Sequence, residues 1–221
     1  MLWNVTTTLL GGLATTVEIF FLTLLFALPL GLIIAFGTMT KFTPVRWLCN
    51  ALVWVVRGTP LMLQLIGFFY IPGILGLHIW PGGDPGRMMA TVVAFSINYA
   101  CYFSVIYRGG IQGVPVGQRE AGEVLGMTKS QIFFKITLMQ MIKRIVPPIS
   151  NEIITLVKDT SLARIIALQE IIWAGQAFMK GSRGISGAIW PLFFTGLYYL
   201  VWNGILSWLL GRLEKKLEYF R

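Results

Sequence analysis

Residues 13–36 have the sequence LATTVEIFFLTLLFALPLGLIIAF, an apolar run that only Glu18 and Pro29 interrupt. A helix of roughly 20 residues crosses the hydrocarbon core of a bilayer, which is about 30 Å thick. This stretch therefore predicts a transmembrane helix, and it indicates that lipid surrounds much of the chain.

The composition of the whole chain extends this prediction. Of the 221 residues, 56% are hydrophobic and 12% are charged, and the charged share is about half that of an average soluble domain. These values exclude a soluble enzyme, a disordered chain and a disulfide scaffold. Cys49 and Cys101 are interpreted as small buried residues, and the single histidine, His78, predicts no metal site. The expected fold class is an all-α polytopic membrane protein.

Further apolar runs bring the expected number of transmembrane helices to about five. The later spans are expected at about 60–76, at 89–107, within 137–179 and at 188–210. Two other segments are less apolar. Residues 41–57 are expected to lie in the headgroup plane or to form the entry of the second span, and residues 161–179 are expected to form a partly inserted or external helix. The pair Pro147-Pro148 is expected to break the fourth helix.

The start of the second span carries its own signals. Thr59 is predicted to be the N-cap and Pro60 the first helical residue, because proline loses no hydrogen bond there. Arg57 is expected at the inner boundary of the membrane, where its long side chain reaches lipid phosphate. A gating role for Arg57 is the alternative.

The distribution of basic residues predicts the orientation. If the amino terminus lies outside, the inner segments 37–57, 108–146 and 211–221 hold 13 of the 18 lysines and arginines, as the positive-inside rule requires. Residues 1–12 are then extracytoplasmic, 13–210 form the transmembrane domain, and 211–221 form a cytoplasmic tail. The net charge of +9 is interpreted as topology and contact with anionic membrane lipid, not as nucleic-acid binding.

The inner loop, residues 108–138, contains the most informative motif. Residues 117–126 are Gly-Gln-Arg-Glu-Ala-Gly-Glu-Val-Leu-Gly, and Ile136 and Leu138 follow. A short helix is expected to start at Glu120 and Ala121 and to stop at Gly126, with a second amphipathic piece over 127–135. By itself this pattern suits either a solvated loop or a docking helix for a soluble partner.

This loop resembles the "EAA" coupling loop of ABC importer permeases. Three more motifs resemble the polar amino-acid subfamily of histidine, glutamine and arginine permeases: Arg57-Gly58-Thr59-Pro60-Leu61 with Gln64, Arg108-Gly109-Gly110-Ile111 with Pro115, and Lys158-Asp159-Thr160-Ser161-Leu162. Three positions depart from the family pattern. Gly122 stands where the family has its second alanine, Met139 where it has a proline, and Val105 where it often has an acid. Glycine in place of alanine is expected to weaken the coupling helix by up to about 1 kcal/mol.

The resemblance implies a type I ABC importer permease in the plasma membrane of a prokaryote. It implies a second permease subunit, with a homodimer favoured, a cytoplasmic ABC ATPase dimer and an extracytoplasmic substrate-binding protein. ATP and Mg would be bound by the ATPase, since this sequence contains no Gly-Lys dipeptide and hence no phosphate-binding loop. The implied coupling residues are Gln118, Glu120, Ala121 and Gly126. Gln64, Lys158, Asp159 and Ser161 belong to structural or gating motifs.

Polar residues within the membrane region are the candidates for substrate contact, because ionised groups are costly in hydrocarbon. Glu152 is expected to meet the α-ammonium group of an amino acid, while Asn151 and Thr155 add hydrogen bonds. Asn98 and Tyr102 are further candidates on the third span. A structural role for Glu152 is equally open, and mutual neutralisation is the favoured interpretation of Lys158 and Asp159.

Two other functions remain to be weighed. An ion-gradient-driven secondary transporter would commonly contain internal repeats, and none is found in this sequence. A non-transporting membrane scaffold would not need the polar cluster around Glu152. The function that the resemblance implies, an ATP-driven importer of polar amino acids, is therefore favoured over both.

Overall fold

The structure, a computed structural model, describes the backbone of residues 2–181 and 185–217, and side-chain surroundings for 6–177 and 189–217. The regular elements within these ranges are all helices, joined by short turns, and these ranges contain no strand. The helices are α1 (Leu2–Met39), α2 (Thr43–Arg57), α3 (Leu61–Ile74), α4 (Asp84–Gln112), α5 (Val116–Val124), α6 (Lys129–Ile132), a π-helical turn (Phe133–Thr137), α7 (Leu138–Asp159), a 3-10 helix (Thr160–Ile166), α8 (Ile171–Gly181) and α9 (Ile185–Leu217).

Three helices within these ranges are long and apolar enough to cross a membrane, namely α1, α4 and α9. A fourth span is obtained if α2 and α3, which meet at an angle of 106°, count as one broken span. The predicted spans 13–36, 89–107 and 188–210 lie inside the three long helices. Helix α7 carries several charges, so its place as the fifth span stays a prediction.

Helix α4 forms the centre of the bundle, with Phe95, Tyr99 and Phe103 almost fully buried. Helix α1 packs along it at Gly31, where an added Cβ would lie 2.8 Å from Phe103 Cβ. Helix α7 approaches α4 at Gly110, where a Cβ would overlap the side chain of Ile145. Small residues at these crossings let the helix backbones pack closely, as is common in membrane bundles.

The junction between α2 and α3 differs from its prediction in two respects. Thr59 is not an N-cap, because its hydroxyl donates to the carbonyl of Val55 at 2.9 Å and no side chain caps α3. Pro60 is the extended residue that precedes the helix instead of its first residue, with φ −63° and ψ 134°. The extended conformation produces the turn, so that α2 and α3 are separate helices.

Helix α7 runs without a break through Pro147 and Pro148, contrary to the prediction. Each proline removes one N–H donor, but the helix is supported by α4 and α9 on its sides, and bundles tolerate proline for this reason. The predicted single helix over 161–179 is also wrong. A 3-10 helix ends at Ala167, which has a left-handed φ of 58°, and α8 begins only at Ile171.

The predicted segment boundaries near the two ends do not coincide with helix ends. Helix α1 already begins at Leu2, and Gly12 packs so tightly on α8 that an added Cβ would lie 2.8 Å from Ile171 Cα. Helix α9 continues to Leu217, through most of the predicted tail. Residues 218–221 of that tail lie outside the described residues.

Candidate functional site

A network of polar contacts joins the α2–α3 junction to α4. The side-chain N–H₂ of Gln64 donates to the carbonyl of Val56 at 2.7 Å and to the hydroxyl of Thr59 at 2.8 Å. The Gln64 carbonyl oxygen accepts a hydrogen bond of 3.0 Å from Asn98, which is buried on α4. Gln64 therefore ties the end of α2, the turn and the core helix together.

Arg57 extends this network toward α7. Its guanidinium carbon lies 5.1 Å from the ring centroid of Tyr102, a cation–π contact. Glu152 on α7 is partly buried and lies within electrostatic range of both Arg57 and Asp159. The structure thus brings residues from α2, α4 and α7, which are far apart in sequence, into one polar region.

Asp159 has a hydrogen-bond partner that the sequence did not predict, and Lys158 lies within electrostatic range of it. Its carboxylate accepts a hydrogen bond of 2.7 Å from the buried phenol of Tyr99. No ion pair within 4 Å joins Asp159 to Lys158 in the described part of the chain, and Lys158 is exposed. Ser161 donates to the carbonyl of Lys158 at 2.7 Å and so belongs to the helix end.

Asn151 and Thr155 lie one turn apart on α7. The Thr155 hydroxyl donates to the main-chain carbonyl of Asn151 at 2.9 Å, which leaves its oxygen free to accept. The side chain of Asn151 is exposed. Both groups are therefore available on the surface of α7 next to Glu152.

The predicted coupling loop forms a compact helical unit. Helix α5 begins at Val116, four positions earlier than predicted, because the extended Pro115 starts it. It ends at Val124, and Gly126, two residues later, has a left-handed φ of 73° that terminates the helix. Gly126 N–H donates to Glu123 at 3.0 Å and Met127 N–H to Gly122 at 3.0 Å, the Schellman pattern that glycine favours.

The outer surface of this unit carries the predicted coupling residues. Glu120 and Ala121 are exposed, and Val124 and Leu125 are 87% and 77% exposed. Gln118 is exposed too, but it accepts a hydrogen bond of 2.9 Å from Gln140. An exposed acid beside exposed apolar side chains suits a protein interface.

The inner surface of the unit depends on Gly122. A Cβ at this position would lie 2.8 Å from Ile132 Cγ1 and 3.2 Å from Ile136 Cδ1. The glycine thus permits close packing of α5 on α6 and the π-helical turn. Thr128 and Gln131 form a capping box that starts α6.

Sequence reasoning missed Glu170, whose side chain is fully buried. Its carboxylate caps α8 by accepting from the backbone N–H groups of Ile172 at 2.8 Å and Trp173 at 2.7 Å. Burial raises the pKa of Glu170 to about 7, although these hydrogen bonds and the charge of Arg164 oppose the rise. The sequence did carry a signal for this cap, namely an acid directly before the apolar run 171–174, because acidic side chains are favourable at the N-terminus of a helix.

The described residues contain no group of three or more His, Cys, Asp or Glu side chains that could hold a metal ion. Both cysteines are free: Cys101 is buried and Cys49 is half-buried. The chemistry of the polar region is therefore that of carboxylate, amide, hydroxyl and guanidinium groups.

The family "Binding-protein-dependent transport system inner membrane component" matches residues 27–219 of this chain. The chain belongs to this family. It is 34% identical over 210 residues to the L-cystine transport system permease protein TcyB of Bacillus subtilis (strain 168), covering 95% of this chain and 86% of TcyB. It is 35% identical over 211 residues to the arginine transport system permease protein ArtQ of the same organism, and this match covers 95% of this chain and 92% of ArtQ.

The fold agrees with this membership. The chain is similar to a crystal structure of an amino acid ABC transporter with histidines, with a TM-score of 0.85, 28% identity, and coverage of 97% of this chain and 96% of the other. The protein is thus a multi-pass permease subunit with the fold of type I ABC importer permeases. The family predicted from the coupling loop and its three companion motifs is confirmed.

Proposed function

We propose that the protein is the permease subunit of an ABC importer for polar amino acids. The observation that carries the proposal is the polar region where α2, α3, α4 and α7 meet, because polar side chains in an otherwise apolar bundle mark transport routes. The similarity to a cystine and an arginine permease agrees with this substrate class.

Each end of an amino acid finds a partner on α7. The partly buried carboxylate of Glu152 would bind the α-ammonium group, and the accepting oxygen of Thr155 would add a hydrogen bond. The exposed amide of Asn151 would donate to the substrate carboxylate. Asn98 and Tyr102 would support the site from α4 through Gln64 and Arg57, as their contacts indicate.

A homodimer would complete the route. Leu63 and Tyr70 on α3 are 56% and 46% exposed, and Asn151 and Lys158 are exposed on α7. A second copy placed against these surfaces would enclose the polar side chains and cover the apolar ones. We expect the substrate-binding protein to deliver the amino acid to this enclosure from outside the cell.

The energy would come from a separate ATPase dimer, which holds ATP and Mg. Exposed Glu120 and Ala121 on α5 would dock in the ATPase, and Gly126 would fix the exit of the chain from that helix. The unit α5–α6 is continuous with α7 through the π-helical turn. Movement of the docked unit would therefore be transmitted to α7 and Glu152. The amino terminus would lie outside and the carboxyl terminus in the cytoplasm.

The test is uptake by proteoliposomes that contain the permease, its ATPase and its binding protein. Glu152→Gln keeps the shape but removes the charge, so we expect uptake of a polar amino acid to fall about 10- to 100-fold. Binding of the ATPase should be retained. The control Glu214→Gln removes a carboxylate from α9 and should leave uptake unchanged.

Two results would count against these assignments. Unchanged uptake by Glu152→Gln would remove that residue from the site. Uptake by the native chain that follows an ion gradient and needs no ATP would instead support a secondary transporter.

A further inference from the structure

We infer that the cleft between α2 and α4 is a binding site for the phosphate group of an anionic membrane lipid. The cleft has a volume of about 440 Å³, within the range of small-ligand sites. It is lined by Asn50, Val53, Trp54, Arg57, Gly58, Val105 and Arg108.

The charges of the cleft select an anion. Its lining contains two arginines, Arg57 and Arg108, and no acidic residue. Neither arginine lies within 4 Å of a carboxylate in the part of the chain that the structure describes. Each guanidinium presents a planar fork of N–H donors that matches phosphate oxygens.

The guanidinium groups are also oriented by their neighbours. The stacking of Arg57 on Tyr102 directs it from α2 toward α4. Arg108 Nη1 is held by a long contact of 3.4 Å to the Asn50 side-chain oxygen. Glu152 attracts Arg57 from α7 without forming an ion pair, which leaves donors for a ligand.

The apolar surroundings of the cleft indicate a lipid and not a soluble phosphate. Trp54 lines the cleft and is 79% exposed, and Trp47 and Leu48 on the same helix are 70% and 64% exposed. Tryptophan is enriched at the headgroup level of membranes. A lipid whose phosphate lies between the arginines would place its acyl chains beside these apolar side chains.

The lack of an acid in the lining further separates lipid types. A zwitterionic headgroup would bring a cation close to two arginines, whereas phosphatidylglycerol carries only the negative phosphate. We expect phosphatidylglycerol to be preferred over phosphatidylcholine. Because the bound phosphate would contact both α2 and α4, it would also hold the α2–α3 bend against the core helix.

The experiment is native mass spectrometry of the full chain, purified in neutral detergent and mixed with equal amounts of phosphatidylglycerol and phosphatidylcholine. The native chain should retain mainly phosphatidylglycerol. The preference for phosphatidylglycerol over phosphatidylcholine should fall about fivefold in Arg108→Gln and about 30-fold in the double variant Arg57→Gln/Arg108→Gln. Arg108→Lys should keep most of the preference, because lysine retains the charge.

The matched control is Arg119→Gln/Lys129→Gln, which removes two positive charges from the α5–α6 unit. It should leave the preference unchanged; an equal loss in this control would overturn the site. Equal retention of both lipids by the native chain would also overturn it. Displacement of the lipid by inorganic phosphate would show a soluble-anion site and contradict the lipid assignment. If the double variant does not fold, the single Arg108→Gln and Arg108→Lys variants decide.

Discussion

The α5–α6 unit and the polar region around α4 both carry predicted functional residues, but in opposite surroundings. Glu120 on α5 is exposed and forms no ion pair among the described residues. Tyr99 and Asn98 on α4 are buried and hydrogen-bonded to Asp159 and Gln64. The first set is thus available for a partner, while the second also holds the bundle together.

This difference separates two kinds of mutational effect. A change on the exposed face of α5 should alter coupling and leave the fold intact. A change in the polar region should alter stability as well, because a buried group that loses its partner is costly. Variants on the two surfaces should therefore separate loss of transport from loss of stability.

Charge reversal on the exposed face should have the largest effect. Glu120→Lys should reduce ATP-driven uptake about 1000-fold, since an interfacial charge that loses its partner costs about 2 to 5 kcal/mol and the reversed charge also repels that partner. The thermal midpoint of the isolated chain should not change. Uptake in proteoliposomes and fluorescence-detected melting measure the two quantities. A large loss of thermal stability in Glu120→Lys, but not in Glu214→Lys, would contradict a role of Glu120 in coupling alone.

Glu170 should make stability depend on pH. Its pKa is about 7 in the folded chain and near 4.3 when unfolded, so the folded state binds the extra proton. Its contribution is fully present below about pH 4.3 and is lost as the pH rises through 7, by about 3 to 4 kcal/mol.

Thermal melting between pH 4 and pH 8 would measure this dependence. Glu170→Gln should flatten it, whereas Glu123→Gln, on exposed α5, should leave it in place. A slope that persists in Glu170→Gln would assign the effect to other groups.

The bond between Tyr99 and Asp159 should contribute about 1.5 to 3 kcal/mol, as expected for a hydrogen bond to a charged group. Tyr99→Phe should lower the midpoint of unfolding accordingly. Tyr102→Phe is the matched control, because it keeps the ring beneath Arg57. A double-mutant cycle with Asp159→Ala, which removes the acceptor, isolates the pair, and additive effects would show that the two side chains do not interact.

The smallest effect is expected inside the α5–α6 unit. Gly122→Ala gains about 1 kcal/mol in helix propensity but crowds Ile132, and overpacking costs about 1 to 3 kcal/mol. We expect a net destabilisation of the unit of about 1 kcal/mol. Gly117→Ala, with nothing within 4 Å of its added Cβ, should stabilise it. Hydrogen exchange of α5 compares the variants, and equal protection in both would contradict the packing argument.

The two helix ends at Gly126 and Ala167 show how much the sequence could predict. At each end one residue has a left-handed φ, and the hydrogen bonds are the same. The N–H of that residue donates to the carbonyl three positions earlier, and the N–H of the next residue donates to the carbonyl five positions earlier. Gly126 was predicted as a stop because glycine adopts this conformation without cost. Ala167 carries no such signal, since alanine adopts it only when packing compensates, and the break in 161–179 was therefore missed.

The same distinction between local signals and packing applies to the candidate site. The predicted coupling residues form one local motif that a family resemblance can match. The structure leaves Glu120 and Ala121 exposed, and their coupling role stays a prediction. Lys158, which is adjacent in sequence, is the predicted partner of Asp159, and its charge does act on that carboxylate. The hydrogen-bond partner of Asp159, Tyr99, comes from another helix, and no local pattern identifies such a contact.

The membrane environment, the long helices and the family are all predictable from the sequence, because apolar run length and short motifs are local properties. Three features require the folded chain: the 106° angle between α2 and α3, the bridge from Gln64 to Asn98, and the burial of Glu170 at the start of α8. These features depend on which helices are neighbours. Packing, and not residue order, decides which polar group finds a partner.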